Sequence, residues 1–334
     1  VVVFTNSMSV LVTGGAGFIG SHIAEALLER GEAVVVLDNL DPYYDLGIKE
    51  RNIELCGEVG GDRYEFVEGS VTDDALVEEI FDEHGVEYVY HQGARAGVRP
   101  SVEQPKYYEE NNVGGMLTLL EAAVEHDVER FVNASSSSVY GRPDYLPYDE
   151  DHPNYPKSPY AVTKLANEHY CKVYTDLHGL STVSLRYFTV YGPRMRPNMA
   201  ITNFVSRCLN GEPPEIYGDG EQTRDFTYVD NVVEANLALL ETDAADGEVV
   251  NVGSTDNISI TELAEHVIAE TGADVEIVYE DEKDADARHT HADVSKAREL
   301  LGYEASIGIR EGVSSFIEWY DANREWYEPL VLNS

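Results

Sequence analysis

The sequence predicts an α/β fold: a doubly wound parallel sheet with a smaller, discontinuous α/β domain beside it. Three observations carry that prediction. Short β-branched apolar runs alternate with helical patterns as far as about residue 188. The first run leads directly into the glycine turn Gly14-Gly15-Ala16-Gly17-Phe18-Ile19-Gly20. Beyond 188 the rhythm breaks at Pro193, Pro197, Pro213 and Pro214. Continuous apolar strands joined by helices imply a parallel sheet covered on both faces, with right-handed crossovers.

Residues 9–13 read as the first strand and 20–30 as a helix with Ile23, Ala24, Leu27 and Leu28 on one face. Strands follow over 33–37, 64–67, 88–90, 130–133 and 182–186, with helices near 73–84, 112–126 and 159–178. Residues 227–240 read as a helix and 248–252 as a strand that returns to the sheet, while 255–311 form a small mixed unit. The sheet domain is therefore 8–188 with about 226–254 and 312–325, and the second domain about 189–225 and 255–311. The second domain is expected to pack over the C-terminal edge of the sheet, where open α/β sheets bind ligands. There are no internal repeats and no low-complexity stretch.

The 334 residues include 23 Lys plus Arg against 62 Asp plus Glu, a formal charge of −39. At 43% hydrophobic residues the chain can bury a sizeable core. The acid excess repels phosphate backbones and anionic lipid, so neither nucleic acid nor a membrane is an expected partner. Only seven of the bases are lysine. An acidic, Lys-poor coat on an ordinary core reads as adaptation to molar salt, the alternative being an acidic enzyme of ordinary salinity. Cys56, Cys171 and Cys208 are scattered with no CxxC, so no disulfide framework and no metal site are expected, and a reducing cytoplasm is the simplest setting. No apolar run approaches the ~18 residues of a membrane span. Residues 1–7 lack the features of a signal peptide. Met8 is a candidate start, which makes 1–7 an upstream extension.

Gly14, Gly17 and Gly20, or Gly15, Gly17 and Gly20, stand between a strand and a helix, where they allow backbone amides and the helix N-terminus to approach a pyrophosphate. This is the Rossmann arrangement; the alternative is a glycine turn without a ligand. Asp38 ends the second strand, where a carboxylate accepts from ribose hydroxyls and repels a 2′-phosphate, favouring NAD over NADP. Asn39 is its helper, and Ser70-Val71 and Gln92-Gly93-Ala94 lie along the expected cofactor path. Tyr160 and Lys164 share one helix face at spacing i, i+4. A nearby ammonium lowers a phenol's pKa from about 10, which lets it act as a base. Ser135 to Ser138 end a strand at the same edge and offer hydroxyls to a reacting oxygen.

These parts, with Arg186-Tyr-Phe188, Val190-Tyr-Gly-Pro-Arg194, the 218–230 segment and Ala292-Asp-Val-Ser-Lys-Ala297, resemble the extended short-chain dehydrogenases/reductases, specifically the nucleotide-sugar epimerases and dehydratases, over about residues 8–325. The resemblance implies Ser136 as catalytic hydroxyl, Tyr160 as base and Lys164 as its partner on the nicotinamide ribose. It adds Phe18, Ile19, Asn112, Ser135 and Tyr187 to the NAD contacts. Tyr217 and Arg224 are implied on uridine and diphosphate, Asp286 and Arg288 as a nucleotide-side pair, and Arg99, Ser137 and Thr189 as further substrate contacts. The family has Asp where Ser70 stands. Its 4,6-dehydratases carry an Asp-Glu pair where Ser137 and Ser138 stand, so the departure favours epimerisation.

The segments 91–105 and 194–200 are similar to the branch that includes UDP-glucuronate 4-epimerases and to UDP-glucose 4-epimerases. Arg196 is a candidate clamp for a C6 carboxylate; the alternatives are a phosphate contact or a structural role in its loop. The implied activity is NAD-dependent inversion at C4 of a UDP-hexose through a 4-keto sugar, in a homodimer built on the Tyr160 helix. UDP-glucuronate decarboxylase, 4,6-dehydratase and a non-catalytic NAD-binding sensor are the rival readings.

Overall fold

The computed structural model describes residues 7–254, 256–281 and 288–332. The first half runs β1 (Ser9–Thr13), α1 (Phe18–Arg30), β2 (Ala33–Asp38), α2 (Leu46–Gly60), β3 (Tyr64–Glu68), α3 (Asp74–His84), β4 (Tyr88–His91), α4 (Val98–Glu103), α5 (Pro105–Glu109), α6 (Gly115–Glu125), β5 (Arg130–Ser136), α7 (Pro159–His178) and β6 (Thr182–Tyr187). Then come β7 (Thr189–Tyr191), α8 (Ala200–Leu209), β8 (Glu215–Tyr217), β9 (Thr223–Tyr228), α9 (Val229–Ala238), β10 (Val249–Val252), β11 (Asn257–Ser259), α10 (Ile260–Thr271), β12 (Val278–Glu280), α11 (Ser295–Leu301), α12 (Ile309–Ala322) and α13 (Arg324–Leu332).

Seven strands form one sheet in the order β10-β6-β5-β4-β1-β2-β3, and every pair is parallel. Strands buried on both faces need no polar alternation, which is why they read as apolar runs. The order reverses between β1 and β4, so the crevice at their C-terminal ends is the topological switch point.

Two smaller sheets, β11-β9-β7 and β12-β8, lie beyond β6. Around them Tyr191, Ile201, Phe204, Phe226, Ile258, Leu263, Val267, Val313 and Phe316 make a second buried core, separate from those on the two faces of the large sheet. This places an apolar body at the carboxyl edge of β6 and β7.

Two expectations need correction. Thr227 and Tyr228 are strand, not helix, because they continue the β-branched and aromatic run of β9 and pair with Val190 and Tyr191 of β7. Helix α2 was not anticipated; it starts at Asp45, whose carboxylate accepts from Gly47 N at 2.9 Å. The helix expected near 112–126 begins as a π turn over residues 110–114 and continues as α6. Residues 1–6, expected to belong to an upstream extension, and Asp286, expected to pair with Arg288, lie outside the described residues. Among the described residues no helix is long and apolar enough to cross a membrane.

Candidate active site

The crevice floor is backbone on both sides. Gly14 follows β1 at φ +67°, and a Cβ there would lie 2.7 Å from Gly93 Cα in the turn after β4. A Cβ on Gly20 would fall 2.4 Å from the Gly14 carbonyl. Gly17 caps α1 in extended conformation with no side-chain acceptor, so the first-turn amides have no protein cap. A close backbone cradle at an uncapped helix N-terminus fits the pyrophosphate of a dinucleotide.

From there a cleft of about 980 Å³ runs to the second core. Of the residues assigned to the cofactor, Gly14, Gly17, Phe18, Ile19, Gly20, Asp38, Asn39, Val71, Gln92, Gly93, Ala94, Ser135, Tyr160, Lys164 and Tyr187 line it. Of those assigned to the substrate, Arg99, Ser136, Ser137, Thr189, Arg196, Tyr217, Arg224 and Arg288 do so. Gln92 Nε2 donates to the Tyr187 hydroxyl at 3.2 Å, which joins the β4 turn to β6.

Ser70 and Asn112 do not line the cleft. The Ser70 hydroxyl is engaged locally, 2.8 Å from Thr72 Oγ1 and accepting from Thr72 N at 3.2 Å. Asn112 is fully buried in the π turn. Its Oδ1 accepts from Arg95 N at 2.7 Å, and its Nδ2 donates to Arg95 O at 3.1 Å and Thr163 Oγ1 at 3.0 Å. It therefore fixes the loop after β4 against α7. Arg288 pairs with Asp219, and Arg224 Nη1 donates to the Thr223 and Arg288 carbonyls.

Asp38 is buried and accepts from Leu40 N at 2.9 Å and from Lys49 Nζ at 3.0 Å. The ribose end of the cleft thus carries an ion pair instead of a bare carboxylate. Lys49 comes from the unanticipated α2. The loop between β2 and α2 also reaches across to the β4 side: Asp41 pairs with Arg95 and accepts from the Tyr107 hydroxyl at 2.6 Å. Arg95 stands 4.3 Å and Arg196 5.4 Å from the centroid of the Tyr43 ring, so two guanidinium groups approach that ring. Lys49, Tyr43 and Arg95 carried no local signal.

Helix α7 starts where the Ser158 hydroxyl accepts from Ala161 N at 3.1 Å and Pro159 occupies the first turn. That sets Tyr160 and Lys164 one turn apart facing β5. Ser136, at the end of β5, hydrogen-bonds the Tyr160 phenol. Burial lowers the Lys164 pKa to about 8, against the opposing pull of the Glu168 carboxylate. The Lys164 ammonium donates to Ala134 O at 2.6 Å.

Burial raises the Tyr160 pKa, while the Ser136 hydrogen bond and the Arg196 charge draw it down. The net shift of the phenol is therefore upward, against the expected depression, and the cation acting on it is Arg196.

Behind the pair, Glu168 accepts from Ser135 and holds Arg186 through bonds of 2.9 and 2.7 Å. A phenol, a hydroxyl and a buried ammonium at the end of a dinucleotide crevice are equipped to shuttle a proton on an alcohol. Among the described residues, Glu78, Asp82 and His126 alone have the spacing of metal ligands, and they lie outside this cleft.

Fold and site together define a protein of the dinucleotide-binding class with Ser136, Tyr160 and Lys164 at the end of its crevice. The GDP-mannose 4,6 dehydratase family model matches residues 11–316. A UDP-glucuronate 4-epimerase of Thermodesulfobacterium geofontis is 38% identical over 96% of this chain and 99% of its own length. The crystal structure of UDP-glucose 4-epimerase from Thermotoga maritima, with UDP-glucose, superposes with a TM-score of 0.87 at 36% identity, covering 95% of this chain and 100% of that one. UDP-glucuronic acid 4-epimerase from Bacillus cereus, crystallised with UDP-glucuronic acid and NAD, gives 0.86 at 35% identity over 94% of this chain and 99% of that one. The chain belongs to the extended short-chain dehydrogenase/reductase family, among its UDP-sugar 4-epimerases.

Proposed function

We propose that the chain binds NAD and UDP-glucuronate and inverts the sugar at C4 through a transient 4-keto form. The observation that carries the choice of sugar is Arg196. It lines the cleft and acts on the Tyr160 phenol, yet among the described residues it forms no ion pair in a chain with 62 acids. A guanidinium kept clear of carboxylates beside the reacting group suits a substrate that brings its own.

NAD in the cleft supplies hydride transfer at C4. Tyr160 takes the proton from the 4-hydroxyl, and Ser136 hydrogen-bonds the same oxygen. Arg224 and Arg288 hold the diphosphate while the keto sugar turns its opposite face of C4 toward the cofactor side of the cleft, and Tyr160 returns the proton to the C4 oxygen. Ser137 and Ser138 offer no acid and base for elimination of water, which speaks against the dehydratase reaction in the family model's name.

The test is product analysis by NMR with UDP-glucuronate, UDP-glucose and UDP-N-acetylglucosamine. The expected product is UDP-galacturonate, with Arg196→Ala raising KM for the uronate by about 10- to 100-fold, the loss of a charge-assisted pair. A pentose or a 4-keto-6-deoxy sugar would assign a different reaction. An equal Arg196→Ala effect on a neutral sugar would remove the uronate.

Two properties of the assembly belong to this reading. Val162, Val173 and Leu177 form an exposed apolar stripe along α7, which supports a homodimer through that helix. The net charge of −39 supports a salt requirement, because self-repulsion is screened within ~3 Å at 1 M but reaches beyond ~10 Å below 0.1 M. Sedimentation in ~2 M KCl is expected to give a dimer, and dialysis to about 50 mM to dissociate it and reduce its helical circular dichroism. An intact, fully helical chain at the lower salt would overturn the salt requirement, and a monomer in ~2 M KCl the dimer.

A further inference from the structure

We propose that Asp41 and Arg95 are positioning residues for the cofactor: their ion pair is a clasp across the dinucleotide crevice and sets the rate at which NAD exchanges. The inference rests on the reading that NAD occupies that crevice. Strands β4 and β2 flank β1 in the sheet, and the glycine turn leaves β1 between them. Asp41 lies in the loop after β2 and Arg95 in the loop after β4, and both border the cleft. The bond between them spans the C-terminal end of β1, where the crevice opens. The proposed inversion borrows a hydride and returns it, so the crevice has no need to release its cofactor between the two transfers.

The pair is more than a surface contact. The Arg95 and Asp41 side chains are 15% and 20% exposed, so salt screens them less than an open pair. Asp41 also accepts from the Tyr107 hydroxyl of α5 at 2.6 Å, and the Arg95 guanidinium lies 4.3 Å from the Tyr43 ring centroid and 5.6 Å from that of Tyr107. A Cβ on Gly97, which has φ +112°, would fall 2.6 Å from Tyr43 Oη, so a glycine there lets the Tyr43 ring reach the opposite loop. The two halves differ in anchorage. Asn112 holds both backbone groups of Arg95 and bonds Thr163 of α7. On the other side, Asp41 N donates to Asn39 Oδ1 at 3.1 Å and Tyr43 N to Asp41 O at 2.9 Å, so the loop is bonded to itself. Its backbone turns at Leu40 with φ +50°, a left-handed conformation that costs a leucine energy. The loop after β2 is therefore the half that swings, and the strength of the ion pair fixes how often it does.

The test is the exchange of chain-bound NAD for radiolabelled NAD in molar salt. It compares wild type, Asp41→Asn, Arg95→Gln and the double variant, with the thermal unfolding of each measured alongside. Each single substitution is expected to raise the exchange rate about tenfold, the size of one charge-assisted pair partly shielded from solvent. The double variant is expected to exchange no faster than either single one, because removing one partner already opens the pair. Tyr107→Phe, which removes only the phenol's bond to Asp41, is expected to give a rise of about threefold. Effects of the two single substitutions that multiply in the double variant would mark two separate contacts and overturn the clasp. So would fast exchange in Arg95→Gln with Asp41→Asn at the wild-type rate, which marks a direct bond from Arg95 to the cofactor. A lowered unfolding temperature with wild-type exchange would reduce the pair to a structural tie. A wild-type chain that takes up no NAD would defeat the cofactor reading and the clasp together, whereas NAD bound and exchanged equally by every variant would defeat the clasp alone.

Discussion

Tyr160→Phe is expected to lower kcat by about 10³-fold while UDP-sugar binding stays near wild type. The ring survives and keeps its edge-on packing against Tyr108, with centroids 6.4 Å apart, so the cleft holds its shape. What is lost is the group proposed to carry the proton on the 4-hydroxyl. Ser136 cannot replace it, because its hydroxyl has no base behind it; it accepts from Ser138 N at 3.2 Å.

The pH profile gives a second readout. The base must be deprotonated to work, and burial holds the phenol up. Activity is therefore expected to fall as pH drops through the apparent pKa of the Tyr160 phenol. That limb should vanish in the variant's residual rate. An unchanged kcat, or the same acid limb in the variant, would take the proton transfer away from Tyr160.

Glu168→Gln is expected to cost about 3 kcal/mol of stability, read as a lower urea midpoint in molar salt. Glu168 and Arg186 have side chains 3% and 4% exposed, so solvent does not screen the pair. Glutamine keeps an acceptor for Ser135 but leaves the guanidinium charge uncompensated, 4.7 Å from the Tyr140 ring centroid. The carboxylate also opposes the burial that lowers the Lys164 pKa, so its removal lets that pKa fall further. A midpoint equal to wild type would mean that the pair's attraction only offsets its desolvation.

What was legible in the sequence was local. The strands announced themselves as apolar runs, and the glycine turn and the Tyr160–Lys164 pair each lie within a few residues of one another. Helix α2 was not legible, since Gly47, Gly57 and Gly60 interrupt its helical pattern, and Lys49 was lost with it. Thr227 and Tyr228 were misplaced because a strand feeding straight into α9 leaves no turn residue to mark the boundary. The grouping of Tyr43, Arg95 and Arg196 joins three separate loops, and spacing along the chain cannot reveal it. The upward shift of the Tyr160 phenol was not legible, because helical spacing says nothing of the ring's burial.

The main-chain contact of Gly14 with Gly93 has an evolutionary corollary. Where two peptide planes touch, there is no side chain to exchange, so point mutation can neither recharge nor reshape that part of the molecule without breaking it. Arg99 and Arg196 stand elsewhere along the cleft as side chains that substitution can exchange. A change of ligand by substitution is thereby left to the side chains of the opposite half of the cleft.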